Sequence, residues 1–181
     1  MNILAGNDTV LWDILISAVI GIPILLYIYR KSTFGQSSRC TDKKTGILLF
    51  LAGAGLSLAF RELLAIVGDL GYEQEVSTLL TGNILLEVLV LLILSPLFEE
   101  LLFRGVIYER LKTRMPIRAA VILSAVFFGL YHGNLSQGIF GFLMGIVLAW
   151  AMERYRTVTA PLLIHMGVNA AALLLELVNL L

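Results

Sequence analysis

Apolar residues run along this chain in six long blocks, separated by short polar connections. The blocks cover about Val10 to Tyr29, Gly46 to Val67, a stretch beginning near Asn83, then Ile117 to His132, Gln137 to Met152 and Val158 to Leu180. Each is close to the roughly 20 residues that a helix needs to cross a bilayer. The blocks are too long for strands, and a backbone in lipid must satisfy its polar groups internally, so the pattern predicts helices. The expected fold class is all-α: a polytopic membrane bundle of about six transmembrane helices, with residues 1–181 as one integral membrane domain.

The polar connections alternate in charge. Arg30, Lys31, Arg39, Lys43 and Lys44 fall between blocks one and two; Arg104, Arg110, Lys112, Arg114 and Arg118 between three and four; Arg154 and Arg156 between five and six. The connections Gly68 to Gly82 and Gly133 to Ser136 hold no Lys or Arg, and the first carries Asp69, Glu73 and Glu75. Basic loops stay in the cytoplasm, so three cytoplasmic loops and two outside termini are expected. The stretch Met1 to Asp8 has no basic residue, and Arg30 and Lys31 follow the first block where a cleavage site would need small residues. That block is therefore expected to be a retained anchor.

Composition agrees with lipid as the solvent. Of 181 residues, 59% are hydrophobic and 14% charged, with a mean hydropathy of +0.91. Soluble domains carry about 25% charged residues, and this chain has too few to coat a globule. The net charge is zero, which implies no bulk attraction to nucleic acid. A single cysteine, Cys40, excludes an intrachain disulfide and a cysteine metal cluster.

Ionisable residues inside apolar blocks cost about 2.5–3.5 kcal/mol each on insertion scales. This chain keeps Arg61, Glu62, Glu87, Glu99, Glu100, His132 and His165 there. Arg61 and Glu62 are adjacent, cannot face each other on a helix, and read as structural or interfacial. Glu87, near a helix start, is expected to be favoured by the dipole or to snorkel outward. Phe127, Phe128, Trp150 and Tyr155 read as core or belt residues, and Gly141-x-x-x-Gly145 as a close helix contact.

The remaining polar residues fall into three patches. Glu99 and Glu100 follow Ser95 and Pro96, which resemble an N-cap and first helical position after a break. Glu100 and Arg104, four apart, form an ion pair on one face; Glu99 lies about 100° round the helix without that partner. One carboxylate is thus paired and structural, the other free to take a proton. Phe128 and His132 share a face one turn apart, as do His165 and Asn169.

Depth decides whether the patches meet. If the third helix ended at Arg104, Glu99 would lie only about 7 Å from the cytoplasmic side, while His132 would lie about 22 Å in. If it continues through Tyr108 and Arg110 to about Arg114, Glu99 also reaches about 22 Å. No helix breaker follows Gly105 in that run, so a long third helix is predicted.

The three patches resemble the signature of the CPBP (CAAX protease and bacteriocin-processing, or Abi) family of glutamic intramembrane proteases: E-E-x-x-x-R, F-x-x-x-H and H-x-x-x-N. Here they read Glu99-Glu100-Leu101-Leu102-Phe103-Arg104, Phe128-Gly129-Leu130-Tyr131-His132 and His165-Met166-Gly167-Val168-Asn169, in that order, within a core of about Ser95 to Asn169. The resemblance implies a CAAX-type endopeptidase acting on a membrane-associated or lipid-anchored protein or peptide. Glu99 would be the general base on water, assisted by His132; His165 and Asn169 would stabilise the oxyanion; Glu100 and Arg104, with Phe128, would hold the motif in shape. The compact form is similar to bacterial members linked to bacteriocin immunity or peptide processing, and a bacterial plasma membrane is the expected location.

No cofactor is expected. A divalent metal such as Zn²⁺, if bound, would use Glu99, His132 and His165, although no H-E-x-x-H helix is present. Two other function classes fit intramembrane Glu and His: a proton-coupled transporter, against which the chain shows no repeated halves, and a non-catalytic immunity or binding protein.

Overall fold

The computed structural model describes residues 7–32, 41–67 and 83–179. Cys40 and the acidic connection expected at Gly68 to Gly82 lie outside these residues. Six helices are described: α1 (Asn7–Arg30), α2 (Lys43–Val67), α3 (residues 84–112), α4 (Ile117–Tyr131), α5 (Leu135–Tyr155) and α6 (Thr159–Asn179). There is no strand among the described residues. Segments of α1, α2, α5 and α6 are long and apolar enough to cross a membrane, whereas α4 is a shorter apolar helix. The all-α membrane bundle stands, with the six expected spans resolved into four helices of spanning length and apolarity, the short α4, and α3 with its buried charges.

Local chemistry sets the helix ends. The Asp42 carboxylate accepts the Thr45 N–H at 2.7 Å and the Thr45 hydroxyl at 3.0 Å, so α2 starts at Lys43 and takes Lys43 and Lys44 out of the expected loop. Those bonds hold the exposed Asp42 carboxyl below the usual carboxylate range. Pro116, with ψ 144°, precedes α4. Asn134 caps α5 by accepting the Gln137 N–H at 2.8 Å. That helix stops where Arg156 turns left-handed at φ 58°.

The long third helix is present and runs to Lys112. The break expected at Ser95–Pro96 is not. Ser95 is helical (φ −62°, ψ −52°), and the chain passes Pro96 without interruption. A proline removes one donor and crowds the carbonyl four residues back. Here the preceding Val88–Leu94 segment is π-helical, and the Ser95 N–H reaches back five residues to the Val90 carbonyl. The wider turn makes room for the ring, so α3 continues instead of restarting. A second π-helical segment, Leu101–Tyr108, carries Arg104; π-turns often mark functional positions in helices. Glu87 corrects another expectation: it lies in the first turn of α3, but it is buried and does not snorkel outward.

The α3 helix sits between two apolar clusters. On one side Tyr29, Leu101, Tyr108 and Met152 pack together; on the other are Phe103, Phe128, Met144 and Ile164. Past Arg104, α3 is tied to α5 by Glu153, which accepts from the Tyr108 hydroxyl at 3.0 Å and from Lys112 Nζ at 2.8 Å. Trp150 and Phe127 are exposed, as belt residues would be, whereas Phe128 is buried. Ile20, Leu51, Leu85 and Leu174 also face outward, as lipid contact requires.

Helices α2 and α6 touch through backbone. A Cβ on Gly53 would lie 2.0 Å from the Ile164 carbonyl oxygen, and one on Gly167 would lie 2.0 Å from that of Phe50. Gly167 stands between His165 and Asn169, so this contact sets how that motif faces inward. Alanine improves helix propensity by about 1 kcal/mol, but overpacking against rigid backbone costs about 3 kcal/mol. Gly53→Ala and Gly167→Ala are therefore expected to unfold earlier in detergent melts. Gly55→Ala, with nothing within 4 Å of its added carbon, is expected to match or exceed the wild type. Equal melting of all three variants would contradict the backbone contact.

Candidate active site

Three helices bring their polar residues to one place. The α3 helix supplies Glu99, Glu100 and Arg104; α4 supplies Phe128 and His132; α6 supplies His165 and Asn169. The glutamate pair divides as its spacing requires. Glu100 Oε1 accepts from Arg104 Nη1 at 3.0 Å and from His165 Nδ1 at 2.8 Å, with the Glu100 and Arg104 side chains both 0% exposed. An ionised carboxylate only accepts, so the His165 proton on this side is at Nδ1. Arg104 also lies 4.2 Å from the Phe128 ring centroid and donates through Nη2 to the Gly145 carbonyl at 3.4 Å. Gly145 itself packs where a Cβ would come 2.8 Å from Ala125, the close contact expected of the G-x-x-x-G pair.

Glu99 is held differently. The Ser95 hydroxyl donates to Oε1 at 2.6 Å. Its Oε2 is buried, has no hydrogen-bond partner, and lies 3.8 Å from His165 Nε2. That distance is too long for a hydrogen bond. His165 thus spans the two carboxylates, bonded to Glu100 and facing Glu99.

His132 closes α4. Its Nδ1 donates to the Phe128 carbonyl one turn back at 2.8 Å, which leaves Nε2 as the lone-pair nitrogen. No hydrogen bond joins His132 to Glu99. Phe128 is the hub of the site, edge-on to Phe103, His132 and His165 at centroid distances of 5.1, 5.0 and 5.8 Å.

Asn169 is placed by the proline. Leu91 O would ordinarily receive the N–H four residues on, but Ser95 N–H goes to Val90. The next nitrogen belongs to Pro96, which has no hydrogen. Asn169 Nδ2 fills the gap, donating to Leu91 O at 2.8 Å. A part-buried carbonyl is satisfied, and the amide is fixed with its second hydrogen unspent.

A cavity of about 200 Å³ opens beside these groups, lined by Ser95, His132, His165 and Asn169, with Leu91, Phe128, Met144, Leu148 and Leu173 among its apolar walls. It has room for several waters or a side chain. Glu99 is not on its wall; Ser95, whose hydroxyl donates to Glu99 Oε1, is. Among the described residues no three His, Cys, Asp or Glu side chains converge as a metal site, so the set Glu99, His132 and His165 does not fit a metal as placed here. Two participants escaped the sequence reading. Ser95, read as an N-cap, is the hydroxyl on Glu99, and its i,i+4 spacing was the available signal. The Glu100–His165 bond carried no sequence signal at all.

Residues 81–171, half of the chain and all of this site, match the family of Rce1-like type II CAAX prenyl endopeptidases. The chain is 24% identical over 178 residues to the Bacillus subtilis protein named "Putative membrane peptidase YdiL", covering 92% of this chain and 72% of that protein. It is 28% identical over 91 residues to the Lactococcus lactis UPF0177 protein YbdI, covering 50% and 49%. No solved structure matches it significantly. With its three motifs gathered on α3, α4 and α6 of a membrane-integral helical bundle, the chain belongs to the Rce1-like CAAX endopeptidase family of CPBP membrane peptidases.

Proposed function

We propose that the protein is an intramembrane endopeptidase that hydrolyses a peptide bond of a membrane-associated or lipid-anchored peptide or protein with glutamate-activated water. The observation that carries this is the unspent Oε2 of buried Glu99, next to His165, which lines the cavity with His132 and Asn169. Glu99 takes a proton from water as the oxygen attacks the scissile carbonyl, with the lone pair of His132 Nε2 as its assistant. Asn169 and His165 stabilise the tetrahedral oxyanion, Asn169 through the unspent hydrogen on Nδ2 and His165 from the position that its bond to Glu100 fixes. The proton on Glu99 then passes to the leaving amine. Glu100 and Arg104 fix His165, and Phe128 supports Arg104 and both imidazoles. No metal takes part in this scheme.

In the cell, the protein lies in a bacterial plasma membrane with its three basic loops cytoplasmic and both termini outside. Its role in this reading is bacteriocin immunity or peptide processing; of the two, the name of the Bacillus subtilis relative, a membrane peptidase, supports the processing role. The test is cleavage of a quenched fluorescent peptide library, including lipid-anchored members, by the detergent-purified full chain, with and without a chelator. His132→Gln is expected to lower kcat by about 100-fold, and chelation to change nothing. Loss of cleavage on chelation would make the enzyme a metalloprotease. Wild-type rates from His132→Gln would remove His132 from the chemistry, and a wild type that cleaves nothing would sink the protease reading.

A further inference from the structure

A serine inside a helix usually turns its hydroxyl back onto the carbonyl four residues earlier. For Ser95 that carbonyl is Leu91 O. Asn169 Nδ2 already occupies it at 2.8 Å, and Ser95 Oγ instead points forward, 2.6 Å from Glu99 Oε1. The preceding π-turn and Pro96 produce this arrangement, because they strip Leu91 O of its backbone donor and leave it to the asparagine. The hydroxyl thereby engages one oxygen of Glu99, and Ser95 lines the cavity where Glu99 does not. The other, Oε2, is left without a hydrogen bond and faces His165.

We propose that Ser95 is a positioning residue for the general base: its hydroxyl locks Glu99 through Oε1 and so assigns Oε2 as the oxygen that takes the proton from water. This rests on the protease reading for its catalytic consequence, but the lock is a property of the resting protein. Without the hydroxyl, the carboxylate has free torsions and Oε1 is uncovered. The base then samples orientations in which Oε2 no longer faces the site, which slows the chemical step and leaves substrate binding alone. Ser95 bonds to no substrate atom in this scheme, and it forms no covalent intermediate. The Ser95–Glu99 spacing is one helical turn, so a threonine at 95 keeps the hydroxyl within reach of Oε1.

Two measurements on the full-length protein in detergent test this, comparing wild type, Ser95→Ala and Ser95→Thr. The first is peptide cleavage. Ser95→Ala is expected to lose about tenfold in kcat, the scale of one hydrogen bond to a charged group, with KM unchanged. Ser95→Thr is expected to recover most of that loss, and all three proteins to melt alike. The second does not depend on activity: the rate at which dicyclohexylcarbodiimide, an apolar carboxyl reagent, modifies Glu99, followed by mass spectrometry. With Oε1 uncovered, labelling in Ser95→Ala is expected to rise several-fold, and in Ser95→Thr to stay at the wild-type rate. Unchanged labelling in Ser95→Ala would overturn the proposal whether or not the wild type cleaves peptides. So would a loss seen in KM rather than kcat, or a threonine variant as impaired as alanine. Altered labelling in a protein that cleaves nothing would keep the lock and discard only the protease reading.

Discussion

Glu99→Gln is expected to abolish peptide cleavage, with kcat falling about 1,000-fold, while the protein stays folded. The substitution keeps the shape of the side chain and an oxygen for Ser95 to donate to, but it removes the base. General-base catalysis by a positioned carboxylate accounts for roughly 100- to 10,000-fold in rate. Glu99 is also a buried carboxylate with an unbonded oxygen, and such a group is expensive to keep in a membrane bundle. The Gln variant should therefore melt at or above the wild-type temperature. Kinetics on a fluorogenic peptide and a detergent melt of the same preparations check both halves. A fully active Glu99→Gln would eliminate Glu99 as the base. An inactive variant that also melts much earlier would show that the carboxylate holds the fold instead.

The second large effect concerns stability. Arg104 and Glu100 have no exposed side-chain surface, and Arg104 contacts three groups: Glu100, the Phe128 ring and the Gly145 carbonyl. Arg104→Met leaves Glu100 charged, buried and bonded through Oε1 to His165 alone. Breaking one side of such a pair costs about 3–5 kcal/mol, mostly through the stranded charge. Activity should fall with it, since Glu100 holds His165. The double variant Glu100→Gln/Arg104→Met removes both charges and is expected to regain at least half of the lost stability. Unfolding in mixed micelles, run as a double-mutant cycle, measures this. A double variant as unstable as the single one would mean that the contacts of Arg104 with Phe128 and Gly145, and not its charge partner, carry the energy.

Much of the molecule was legible because membranes make long apolar runs obligatory and buried charge costly. The six helices, the extension of α3 past Arg104 and the separation of Glu99 from the Glu100–Arg104 pair all follow from periodicity, depth and i,i+4 geometry. Local rules misled at Ser95–Pro96 and at Glu87. A proline read alone predicts a break, yet a π-turn absorbs it, and the carbonyl it strips finds a donor 78 residues away in Asn169. Glu87 read alone suggests an acid favoured by the helix dipole or reaching outward; it lies in the first turn of α3, as the dipole reading has it, but it is buried.

By itself, the sequence determined that this chain lives in a membrane as helices, and which few polar residues lie within them. Those conclusions rest on solvation and helical spacing, which act along a single segment. Only the tertiary structure decided how the polar residues use one another: His165 bonded to Glu100 and facing Glu99, Asn169 satisfying Leu91, Ser95 turned onto Glu99, and one cavity walled by α3, α4, α5 and α6 with Ile14 of α1. The contacts between helices depend on how closely they approach, and glycines at 53, 145 and 167 let α2 and α6, and α4 and α5, come together through backbone. A hydrogen bond between helices is fixed to within a few tenths of an ångström, whereas the pattern along a segment fixes only which face points inward.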